Sequence, residues 1–179
     1  MTESSRVGRF EAVVLPHLKA AYRLARWLVR DDRAAQDLVQ DACLSAFESI
    51  ARFRGESGKA WILTIVRHAC YRWLQRRRRG PIDEAFDETL HGLNGDGPVE
   101  SGSREDPESW LLRDESRERV WRALERLPPA FREIVVLREL EGYSYREIAE
   151  IAAVPPGTVM SRLARARALL WKYLAEESG

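Results

Sequence analysis

Gly142-Tyr143-Ser144-Tyr145-Arg146-Glu147-Ile148-Ala149-Glu150-Ile151-Ala152-Ala153-Val154-Pro155-Pro156-Gly157-Thr158-Val159-Met160-Ser161-Arg162-Leu163 carries the densest set of structural signals in the chain. Gly142 can end one helix, because a left-handed residue is tolerated there without a Cβ penalty. Ser144 and Glu147 have the spacing of a capping box, in which the Ser144 hydroxyl accepts from the Glu147 amide and the Glu147 carboxylate reaches back. The new helix turns Ile148, Ala149 and Ile151 inward. Ala152-Ala153-Val154 turns the chain, and Pro155-Pro156 suits the first turn of a last helix from about Pro155 to Ala175. Two helices joined by about four residues make a helix-turn-helix. In the last helix Val159, Leu163, Ala166 and Leu170 form the buried stripe, while Thr158, Ser161, Arg162 and Arg165 project outward. No acid lies between residues 157 and 175, so this face suits the DNA major groove.

Working outward, Trp110, Leu111, Val120, Trp121, Leu124 and Leu127 outline a helix that stops at Pro128-Pro129, and Ala130 to Leu140 supplies the next. Before them the composition changes. The total of 29 Lys+Arg against 28 Asp+Glu conceals a net charge of +8 over residues 1–79, −8 over 80–108 and +1 over 109–179. The middle block also holds five of the eleven glycines and three of the eight prolines, with few large apolar residues. Such a segment cannot bury a core and reads as a flexible acidic linker. It joins two lobes, each near the smallest size at which a helical domain folds alone.

In the first lobe apolar residues recur every three or four positions, predicting helices over about Phe10 to Val29 and Arg33 to Arg52, broken at Asp31-Asp32. Ala35, Leu38, Val39, Ala42, Cys43, Ala46, Phe47 and Ile50 form the inner stripe of the second. Asp37, Gln40, Asp41, Leu44 and Glu48 fall opposite, an acidic face with one leucine at its centre. After the loop at residues 53–57, a third helix of about 20 residues turns Trp61, Ile62, Ile65, Val66, Ala69 and Trp73 to the core. Its other face carries Thr64, Arg67, His68, Tyr71, Arg72 and Gln75, then the run Arg76 to Arg79. A basic stripe interleaved with an aromatic is a plausible nucleic-acid surface. The six tryptophans, at helical spacing, read as core.

The expected fold is all-α, two small helical domains at residues 1–79 and 109–179 joined by the linker 80–108. No apolar stretch approaches the roughly 18 to 20 residues of a membrane span, and the N-terminus lacks a secretory layout, so a cytoplasmic protein without membrane insertion is expected. Cys43 and Cys70 read as buried thiols, well ahead of a zinc site with His17 and His68. No cofactor is expected. An enzyme is the rival from another class, but the chain has no G-x-x-x-x-G-K-[ST], no H-E-x-x-H and no glycine-rich phosphate loop.

The order and spacing of these segments resemble the extracytoplasmic-function (group IV) sigma factors of bacterial RNA polymerase. Asp37-Leu38-Val39-Gln40-Asp41 looks like the polymerase-binding helix of region 2, and Trp61 to Arg79 looks like its minus-10 helix. Glu147-Ile148-Ala149-Glu150 through Gly157-Thr158-Val159, with Ser161-Arg162-Leu163 and Arg165-Ala166-Arg167, looks like region 4. The resemblance implies that Asp37, Leu38, Gln40, Asp41 and Leu44 bind core RNA polymerase. It further implies that Arg54, Arg67, His68, Tyr71, Arg72 and Arg76 hold minus-10 DNA, and that Thr158, Met160, Ser161, Arg162 and Arg165 contact minus-35 DNA. The acidic linker would follow the RNA exit path, and an anti-sigma factor is an expected partner. Three positions depart from the family pattern. Met160 stands where Lys or Arg is frequent, and His68 where Asn is frequent. Ala153 replaces a common turn glycine, which would cost roughly 1 kcal/mol if the backbone is left-handed there. The remaining rival is a stand-alone repressor or activator, which should bind duplex DNA without polymerase.

Overall fold

The computed structural model describes the backbone of residues 3–55, 57–78 and 107–176. Of the expected linker, only Pro107 and Glu108 fall among the described residues, where they open a helix. All regular structure among these residues is helical.

The first expected helix is two. α1 (Glu3–Val14) ends in a 3₁₀ turn, Leu15–His17, before α2 (Leu18–Val29). Pro16 explains the break, since it offers no N–H and its ring would meet the carbonyl one turn back. α2 closes on Arg30, whose backbone is left-handed (φ 58°) and whose N–H donates to the Arg26 carbonyl at 2.9 Å. Asp31 then caps α3 (Asp32–Ser49), its side chain accepting from the Ala34 N–H at 2.9 Å.

The Ser57 hydroxyl accepts from the Ala60 N–H at 3.1 Å at the start of α4 (Gly58–Arg78). Gly58 is required there by proximity, because a Cβ would lie 2.5 Å from the Val13 carbonyl oxygen of α1. Leu24, Leu28, Ile62, Leu63 and Val66 fill the core of this bundle, each contributing about 1.5–3 kcal/mol by leaving water.

The second bundle consists of α5 (Pro107–Arg126), α6 (Pro129–Val135), α7 (Tyr145–Ala152) and α8 (Pro156–Glu176). A wide π turn, Val136–Leu140, continues α6. Gly142 then adopts φ 70°, and the capping box forms as expected, with Ser144 and Glu147 each accepting from the other's backbone N–H. Leu127, Ile134, Leu137, Ile148, Ile151 and Leu163 are its largest fully buried apolar side chains.

The backbone of Ala153 is left-handed, φ 53° and ψ 45°. Ala153→Gly should therefore raise stability by about 0.5–1 kcal/mol, seen as a thermal midpoint about 2–4 °C higher. A lower midpoint would show that the turn tolerates alanine without strain.

The tryptophan expectation is corrected in part. Trp27 is buried, but Trp121 and Trp171 are 50% and 74% exposed. Trp121, from α5, instead lies flat on Trp27 of α2, with ring centroids 4.3 Å apart and planes at 14°. The two bundles are thus docked, and their buried side chains form one continuous apolar cluster.

Candidate nucleic-acid interface

Helical periodicity places the acidic face of α3 as the sequence suggests. Asp37, Gln40, Asp41 and Glu48 are exposed, around a Leu44 that is 60% exposed. Neither aspartate has a hydrogen-bond or ion-pair partner among the described residues. Leu38 points the other way, into the core, so it holds the helix in place and presents no side chain on this face. An apolar anchor ringed by free carboxylates fits a basic protein surface with one apolar socket.

The expected minus-10 residues divide into two groups. His68, Arg72 and Arg76 lie at four-residue intervals along α4 and are exposed, as is Arg54 on the loop before it. Phe53 and Trp61 pack ring on ring, centroids 4.6 Å apart, in one wall of a cleft of about 660 Å³. Arg146, Glu147 and Glu150 of α7 line it from the second bundle.

Arg67 and Tyr71 are covered. The Arg67 guanidinium donates to one oxygen of Glu133, in α6, and the Tyr71 hydroxyl donates to the other at 2.5 Å. The Arg67 guanidinium also lies over the Tyr71 ring, 4.6 Å from its centroid. Glu133 is fully buried. Burial and the Glu133 charge together push the Tyr71 hydroxyl well above its ordinary pKa and the Cys70 thiol up to about 12. Tyr71 therefore stays a hydrogen-bond donor. Both cysteines are free; Cys70 is buried and Cys43 half-buried.

Around this centre the bundles are joined by charge. Lys59 pairs with Glu147 at 2.6 Å, Arg23 with Glu141 at 2.5 Å and Arg30 with Glu125 at 3.2 Å. The Lys59 pair and the capping box hold the Glu147 carboxyl down at about 2. Arg132, next to Glu133, is buried without an acid on its guanidinium and donates only to carbonyl oxygens. These belong to Leu124, Glu125 and Leu127 at the end of α5, at 2.7–3.1 Å, and to Trp27 and Leu28 in the last turn of α2, at 2.8 and 3.4 Å. Burial, with Arg30 nearby, lowers its pKa to about 10.

On α8, Met160 and Ser161 are exposed, while Thr158, Arg162 and Arg165 are half-buried. The Ser161 hydroxyl donates back to the Thr158 carbonyl at 3.1 Å. The Arg162 charge weakly offsets the rise in the Tyr71 pKa. Sequence reasoning missed Arg132 and Glu133. A charged pair inside the apolar run Phe131 to Leu137 was the available signal, since charges on a buried stripe need partners from elsewhere.

These features define a two-bundle helical protein with an exposed acidic face on α3 and basic side chains along α4 and α8. Residues 13–80 match the family model for sigma-70 region 2, and residues 117–170 that for sigma-70 region 4. The chain is 34% identical over 167 residues to the RNA polymerase sigma-H factor of Pseudomonas aeruginosa, covering 92% of this chain and 86% of that protein. It is 34% identical over 150 residues to the ECF RNA polymerase sigma-E factor of Escherichia coli K12, covering 83% and 77%. Among solved structures it is similar to the sigma factor RpoE of Bartonella quintana in complex with the anti-sigma factor NepR. That match has a TM-score of 0.65 and 30% identity over 93% of this chain and 96% of that one. A second similar structure is CnrH in complex with the cytosolic domain of CnrY, at TM-score 0.60, 25% identity, and 93% and 88% coverage.

The chain belongs to the sigma-70 family, in its extracytoplasmic-function group. Its activity is promoter-specific transcription initiation with RNA polymerase, in a family of non-catalytic initiation factors. None of the described helices is long and apolar enough to cross a membrane.

Proposed function

We propose that residues 1–79 act as sigma region 2 and residues 109–179 as region 4, on either side of the acidic linker 80–108, and that three surfaces divide the work. Asp37, Gln40, Asp41 and Leu44 dock on core RNA polymerase, with Leu38 fixing the helix from behind. The exposure of Leu44 within that ring of carboxylates carries this assignment, because nothing among the described residues uses the face. Arg54, Arg67, His68, Tyr71, Arg72 and Arg76 hold the opened minus-10 strand. The Phe53 and Trp61 wall offers stacking that offsets the few kcal/mol needed to extrude a base. Thr158, Met160, Ser161, Arg162 and Arg165 contact the minus-35 duplex, where Met160 brings apolar contact in place of a charge. The protein itself makes and breaks no covalent bond and acts in the cytoplasm. The similarity to sigma factors solved with NepR and with CnrY supports an anti-sigma factor as a further partner.

Run-off transcription with purified core polymerase on a library of upstream DNA from the source genome tests this reading. Discrete start sites that depend on the added chain are the expected result. Binding to duplex DNA alone, with no promoter specificity conferred on the polymerase, would instead establish a stand-alone regulator.

A further inference from the structure

We propose that Glu133 is an internal stand-in for a DNA phosphate, a latch that closes the free factor and competes with promoter DNA for Arg67 and Tyr71. The inference rests on the reading above that these two side chains hold the minus-10 strand.

A guanidinium and a phenol converging on two oxygens of one anion is the arrangement a backbone phosphate would meet. Here the anion is supplied by the chain's own second bundle and is fully buried. The rest of the interface repeats the pattern. Among the described residues all four ion pairs between the bundles run in one direction. Arg23, Arg30, Lys59 and Arg67 come from the first bundle, and Glu141, Glu125, Glu147 and Glu133 from the second. The second bundle thus presents carboxylates to the basic side of the first, and through Glu133 to Arg67 of the minus-10 set. It also walls the cleft beside Phe53 and Trp61 with α7. Docking of the bundles and engagement of Arg67 and Tyr71 by the minus-10 strand therefore exclude each other.

The test uses the full chain without polymerase. X-ray scattering gives its radius of gyration, and anisotropy of fluorescein-labelled random 20-nucleotide single strands gives its DNA affinity. Closed wild-type protein should have a radius near the roughly 16 Å of a compact chain this long and bind the strands weakly. Glu133→Gln should enlarge the radius and tighten strand binding at least tenfold, and adding Arg67→Ala should remove the gain. Arg23→Glu changes an exposed side chain and sets a like charge against the covered Glu141, and should open the chain even if the buried substitution perturbs folding. Its added negative charge opposes DNA binding, so a gain in affinity would be the stronger result.

An extended wild type, or an unchanged radius in both variants with native helix content, would overturn the latch and leave the minus-10 assignment standing. A larger radius without tighter strand binding, or a gain that survives Arg67→Ala, would overturn the competition and the assignment of Arg67 with it.

Discussion

Asp37→Arg combined with Asp41→Arg is expected to reduce promoter-specific run-off transcripts by about a thousandfold. Each aspartate is assigned one charge-assisted contact to a basic polymerase surface, worth about 1.5–3 kcal/mol, and reversal adds repulsion where attraction stood. A combined loss of about 4 kcal/mol corresponds to that thousandfold at 1.4 kcal/mol per factor of ten. Both side chains are exposed and without a partner among the described residues, so the fold should survive and the thermal midpoint should hardly move. The defect should also appear as lost binding to core polymerase, at unchanged affinity for DNA. Transcription within threefold of wild type would place the docking face elsewhere.

Arg132→Lys should be the most destabilising conservative change in the chain. The guanidinium serves carbonyls at the ends of two helices, α5 and α2, whose last turns leave such groups without amide partners. A lysine has one nitrogen and no planar fork, so it cannot reach both ends, and the carbonyls it abandons are buried. Breaking such a buried cationic network costs about 3–5 kcal/mol, a fall of about 10 °C in thermal midpoint for a protein of this size. A shift under 3 °C would mean that water enters and satisfies the carbonyls. Arg132 and Glu133 are adjacent and both buried, yet their parts differ: one ties α2 to α5, and the other accepts from Arg67 and Tyr71 of α4.

What could be read from the sequence was local. The exposed face of α3 follows from the 3.6-residue period alone, and the Ser144–Glu147 box from a spacing of three residues. The left-handed turn at Ala153 was signalled only by the family resemblance, as a place where a turn glycine is common. The start of the first helix and its break at Pro16 were local too, but the run of apolar residues across the proline masked them. What escaped was set by docking. Arg67 and Tyr71 sit on an outward stripe of their own helix, and only the approach of α6, more than sixty residues away, covers them. No periodicity within α4 encodes that. Trp121 likewise reads as core by spacing, but it completes its burial on a ring from the other bundle and stays half open.

That pair of rings has a spectroscopic meaning. Trp27 and Trp121 are nearly parallel and within stacking distance, one contributed by each bundle, so their transition dipoles couple only while the bundles touch. The near-ultraviolet dichroism of the unlabelled protein should carry a signature of that coupling, lost in Trp121→Phe. The chain thus contains its own optical gauge of bundle separation, through which arrival of polymerase, DNA or an inhibitory partner can be followed in real time without a dye.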